Sequence, residues 1–203
     1  MKDLIKTASI LDKVLNILAI AIKIVAVALM VGLCILAAGF LFDLSPQMVG
    51  TGYNHADLGF VTFTVEEGFL PDHRIIWCEV AMELILSLIC MVPAHFSVKA
   101  IRDILSPMKN GEPFHNTVST NLAKLARYTC SLGIGLNLQE IISNIFLTKA
   151  YDLPTLLLSE KISQVEFMFT FDFGFLVVYA VLLLLSYIFR YGEELQQLSD
   201  ETL

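Results

Sequence analysis

Four apolar stretches, each long enough to cross lipid, dominate what this chain can fold into. They cover about residues 16–42, 75–98, 128–147 and 171–189. A hydrocarbon core about 30 Å thick needs about 20 helical residues at a rise of about 1.5 Å each. The expectation is an all-α membrane protein with four transmembrane helices, forming one domain over residues 1–203. Loops 43–74 and 148–170 would lie on the extracytoplasmic side and loop 99–127 in the cytoplasm. The composition agrees: 56% of residues are hydrophobic and 16% charged. Soluble domains carry about 45–50% and about 25%.

Charge placement sets the expected orientation. Lys2, Lys6, Lys13, Lys99, Arg102, Lys109, Lys124, Arg127 and Arg190 fall at the termini and middle loop. Arg74, Lys149 and Lys161 fall in the other two loops. Nine cations against three, with Lys23 set aside, places both termini in the cytoplasm by the positive-inside rule. Lys23 then lies at or just inside the inner boundary of helix one, where snorkelling towards the headgroups is favoured over an intramembrane function. The first helix resembles a signal peptide in its lysines and its Ala37-Ala38-Gly39 cluster. Its apolar run is longer than the usual h-region of about 7–15 residues, so a retained helix is expected.

Residues 1–14 read as an amphipathic approach to helix one that lies on the inner membrane surface, with Leu4, Ile5, Ile10 and Leu11 towards lipid. In the first outer loop, Leu58–Val65 is rich in β-branched and aromatic residues and reads as a short strand. In the second, Gln164–Phe171 alternates apolar and polar residues, which fits either a second strand or the start of helix four. Two such strands would form a small extracytoplasmic β-sheet. Helix two is expected to run on to Leu105 and stop at Ser106-Pro107. Helix three should begin near Asn116 or Thr117, both suitable caps. Gly192 is placed to end helix four.

The middle loop and tail carry a resemblance. Ile101-Arg102-Asp103-Ile104-Leu105 leads through a turn to Gly111-Glu112-Pro113-Phe114 and a helix with Leu122, Leu125 and Arg127. The chain ends Tyr187-Ile188-Phe189-Arg190-Tyr191-Gly192-Glu193-Glu194-Leu195 before an acidic tail. These motifs and the four-span layout resemble the YoaS-like family of bacterial membrane proteins, a domain of unknown function. The resemblance implies a four-helix protein of the bacterial inner membrane. It also implies a regulatory partnership with a small cytoplasmic DNA-binding protein of the helix-turn-helix type. It supplies no catalytic residue. Arg102, Gly111, Pro113, Phe114, Arg190, Gly192, Glu194 and Leu195 are the candidate docking residues, weighed against an ordinary structural turn and helix end.

Polar residues within the spans form the second candidate site. Glu79 and Glu83 lie one turn apart on helix two, and Asn137, Glu140 and Asn144 share a face of helix three. Antiparallel helices would bring Glu83 level with Glu140 and Glu79 level with Asn144. Ionised acids are costly in lipid, so these side chains are expected to face one another within the bundle. Either a proton, cation or ligand pocket open to the outside or buried polar packing satisfies that constraint.

The four cysteines, Cys34, Cys78, Cys90 and Cys130, sit singly within spans and read as packing residues. No metal site, cofactor motif, catalytic set or nucleic-acid-binding stretch is evident, so a non-enzymatic role is expected. The favoured function is regulatory or sensory, with a cytoplasmic docking face for a soluble partner. The alternative is a small transporter or channel subunit with an outward-facing acidic pocket. A homo-oligomer is compatible with both, and the bilayer is the one partner the sequence demands.

Overall fold

The structure, a computed structural model, describes residues 2–41, 55–57, 62–64, 73–109, 115–150 and 171–201. Helix α1 is Lys2–Leu41, α2 is His73–Lys109, α3 is Asn116–Ala150 and α4 is Gly174–Glu201. All four are long and apolar enough to cross a membrane. Strands β1 (His55–Asp57) and β2 (Thr62–Thr64) pair antiparallel, with Ala56 opposite Phe63. The strand expected from Gln164 onward lies almost wholly outside the described residues. Phe171–Phe173, which are described, are neither strand nor helix.

The helices outrun the spans. At 40 residues, α1 is about 60 Å long, twice a hydrocarbon core. The first fourteen residues are therefore not a separate surface segment. Lys2 onward belongs to the same helix that enters the membrane. Ala8 and Leu15 pack with Val98 and Leu105 of α2, joined by Ala19, Ile22, Ile101 and Met108. A helix held along this face cannot lie flat on the bilayer.

Other expected boundaries also move. Pro107 does not stop α2, which reaches Lys109 with Pro93 and Pro107 inside it. Proline within a membrane helix is tolerated when neighbouring groups satisfy the freed carbonyls. Helix α3 begins at Asn116, as expected, but its cap is His115. Thr117 N–H donates to His115 Nδ1 at 3.3 Å, and Val118 N–H donates to the His115 carbonyl at 2.9 Å. Helix α4 starts at Gly174 rather than Phe171. Asp172 Oδ1 accepts the Gly174 N–H at 2.7 Å and places a carboxylate at the positive end of the helix. Gly192 does not end α4, which continues to Glu201.

Two compact units divide the chain. One comprises Met1–Val27, Ile89–Gly135 and Asp172–Leu203, the other Ala28–Leu88 and Leu136–Phe171. In the first, Ile104, Val118 and Leu122 form a core with Met108, Leu125, Leu182 and Phe189 at its edge. Phe96 stacks on Tyr128, with centroids 5.5 Å apart. In the second, the near-glycine contacts set α1 against α2: a Cβ at Gly39 would lie 3.6 Å from Trp77 and one at Gly32 3.8 Å from Leu84.

Candidate functional site

The expected acidic set assembles only in part. Glu79 is buried, and Ser143 Oγ donates to its Oε1 at 2.9 Å. Further along, Gln139 Nε2 donates to Ser87 Oγ at 3.2 Å. Gln139 and Ser143 stand one turn apart, so they mark the face of α3 that meets α2. Asn137, Glu140 and Asn144 lie about 100–160° further round from Gln139, at about 100° per residue. Glu140 is exposed and does not join Glu79 and Glu83 between the helices. Asn144 and Glu83 are half-buried, while Asn137 is buried. Glu140 therefore departs from the convergence expected of Glu79, Glu83, Glu140 and Asn144, and Ser143 and Gln139 supply polar contacts from α3 to α2. Both are uncharged polar side chains at a four-residue spacing, the signal that points to this face.

The candidate docking residues are described only in part. Gly111, Pro113 and Phe114 lie outside the described residues. On α4, Arg190 and Glu194 are exposed and pair with each other at 3.6 Å. Leu195 is exposed, as are Tyr191 and Leu198, while Gly192 is half-buried. The neighbouring Glu193 is the anchor. Its carboxylate is buried and accepts the Ser119 hydroxyl at 3.1 Å and the Ser119 N–H at 3.4 Å. Ser186, two turns earlier on the same face, donates its hydroxyl to the Ser119 carbonyl at 2.7 Å. The Ser-x6-Glu spacing in α4 is the sequence trace of this lock.

Arg102 pairs with α1. Its Nε donates to Asp12 Oδ1 at 3.0 Å, and Lys109 Nζ donates to Asp12 Oδ2 at 2.5 Å. Asp12 therefore fastens the start of α1 to the end of α2. Around this pair opens a groove of about 510 Å³. Its α1 wall includes Asp12, Asn16, Ile20 and Lys23, and its α2 wall includes His95, Lys99, Arg102 and Lys109. On α2, residues 95, 99, 102, 106 and 109 are spaced by alternating steps of four and three, which is one helix face. Basic residues on that face are legible in the sequence once α2 is known to stay helical past Pro107. Asp103 also lines the groove. Lys23 and Lys99 make no ion pair among the described residues. His95 Nδ1 is buried without a hydrogen-bond partner among those residues.

The cysteines do not cluster: Cys34 and Cys78 are exposed, Cys90 is buried and Cys130 is half-buried. Among the described residues no group of three His, Cys, Asp or Glu side chains is placed to hold a metal ion. No family model, curated protein or solved structure matches the chain, which stands as a four-helix, multi-pass membrane protein on its own geometry.

Proposed function

We propose a regulatory or sensory protein of the bacterial cytoplasmic membrane, with both termini in the cytoplasm and a docking face for a soluble partner. The observation that carries this reading is the end of α4. Past Arg190 the helix continues for eleven residues to Glu201, held to α3 through Glu193 and Ser119. That anchor presents Tyr191, Glu194, Leu195 and Leu198 outward on a fixed helix. A regular apolar stripe flanked by acids suits a partner with an apolar groove and a basic rim. A small helix-turn-helix regulator, the partner the YoaS-like resemblance implies, has the required charge.

The alternative of a transporter or channel subunit has less support. Its outward acidic pocket called for Glu140 between the helices, where Ser143 and Gln139 stand instead.

Affinity purification of the whole protein from native membranes tests the proposal. A soluble DNA-binding protein should co-purify with the unaltered chain and be lost with Leu195→Ala and Glu194→Ala at unchanged membrane abundance. Recovery of the same partners by both variants would refute docking on α4.

A further inference from the structure

The groove between the first part of α1 and the last part of α2 combines two chemistries. It gathers four cations, Lys23, Lys99, Arg102 and Lys109, against the acids Asp12 and Asp103. Asp12 already engages Arg102 and Lys109. Lys23 and Lys99 are left without an anion among the described residues. Of the groove's three lysines they are the two closest in sequence to the apolar spans. Lys99 directly follows the apolar span of α2. Lys23 lies seven residues beyond Asn16, about 10 Å along α1.

Apolar residues continue from this polar end. Ala19, Ile20 and Val98 line the groove itself. Ile20 and Ile24 on α1 and Val92 on α2 are exposed, with Ile24 at 65%. A ligand suited to both parts carries a negative head and an apolar tail.

We propose that this groove binds an anionic phospholipid, with its phosphate held by Lys23 and Lys99 and an acyl chain lying along Ile20 and Ile24. Basic pockets between membrane helices are the usual seats of such headgroups. The pair Asp12–Arg102 and Asp12–Lys109 supports the site by fixing the groove walls. His95 also lines the groove, next to Lys99 on the same face of α2. Simple snorkelling of Lys23 would need neither Lys99 across the groove nor a particular lipid. A free phosphate would need the cations but not Ile20 and Ile24.

The test uses the whole protein in mild detergent, stripped of lipid. Binding of phosphatidylglycerol, phosphatidylcholine and inorganic phosphate is measured by native mass spectrometry and by the shift in thermal unfolding. Phosphatidylglycerol should bind and stabilise well above phosphatidylcholine. Lys23→Gln combined with Lys99→Gln should weaken that binding by about tenfold or more. Equal binding of the two lipids would overturn the proposal. Stabilisation by inorganic phosphate as strong as by phosphatidylglycerol would overturn the lipid as occupant and leave a free-anion site. Photoactivatable phosphatidylglycerol on the unaltered protein gives a readout independent of how the variant folds. Its label should fall on peptides containing Ile20–Ile24 or Val92–Lys99, and label confined to other peptides would also overturn the proposal.

Discussion

Ser119 donates both its hydroxyl and its backbone N–H to the Glu193 carboxylate, a partner 74 residues away in sequence. The acceptor sits close to the N-terminal end of α3, where a negative charge is favoured by the helix dipole. Hydrogen bonds to charged groups contribute about 1.5–3 kcal/mol, and a buried donor left unpaired costs about 1–3 kcal/mol. Glu193→Ala should therefore lower the thermal unfolding temperature of the purified protein by a measurable step. Glu194→Ala, on the exposed side, should change it little. Equal effects of the two substitutions would mean that Glu193 is not the anchor.

Asp12 offers a contrast, because its partners are only partly buried. The side chains of Arg102, Lys109 and Asp12 retain 39%, 31% and 23% of their exposure. Pairs of this kind contribute about 0–1 kcal/mol. A double-mutant cycle with Asp12→Ala and Lys109→Ala should give a coupling energy in that range. The coupling should shrink in about 1 M salt, where the screening length is about 3 Å. A coupling well above this range would show that the detergent or lipid shields the pair from water.

Close helix approach supplies another prediction. A Cβ added at Gly133 would fall within the side chain of Phe175, touching its Cβ as well as its ring. The clash involves the base of the side chain, so rotation of the ring alone does not relieve it. Gly133→Ala should destabilise the protein by about 1–3 kcal/mol, the usual cost of overpacking. Phe175→Ala should rescue much of that loss when the two are combined. Strict additivity, measured by chemical or thermal unfolding, would argue against the contact.

The spans were legible because lipid imposes a length and an apolar composition that few other structures share. What lies past their ends was less so. Ser106-Pro107 and Gly192 are ordinary stop signals, yet α2 and α4 run through them. For α4 the physical reason is the Glu193–Ser119 anchor, a contact between segments that no local pattern records. The exposure of Glu140 on α3 has a different origin. Asn137, Glu140 and Asn144 do share a face, but sequence spacing does not say which neighbour a face meets. In a membrane helix the apolar residues give no help, since lipid and core are equally apolar and small residues mark the interface instead. Gln139 and Ser143 were the better guide, and the groove cations became a set only once Asp12 and Arg102 were seen together.

Orientation is open to a direct measurement. In a background with the four native cysteines replaced, single cysteines at Ser45 and Glu201 report opposite sides of the bilayer under the nine-against-three charge bias. An impermeant thiol reagent added to intact cells should label the Ser45 position and spare Glu201 until the membrane is opened. Labelling of Glu201→Cys from outside would invert the topology and remove the proposed cytoplasmic docking face with it.

The contact between Glu79 and Ser143 decides whether the polar groups of α2 and α3 act as packing or as an acidic pocket. Ser143 Oγ stands 2.9 Å from the Glu79 carboxylate, and Gln139 and Ser87 repeat the pattern two turns along α2. Hydrogen bonds between membrane helices average about 0.6 kcal/mol by double-mutant cycles and reach about 1.7. Glu79→Ala and Ser143→Ala should therefore be non-additive within that range when unfolding is followed in mixed micelles. Glu140→Ala, on an exposed face, should add independently to either. If Glu140 instead couples to Glu79 as strongly as Ser143 does, then the two acids share a site. The outward acidic pocket, and the transporter reading that depends on it, would then regain their footing.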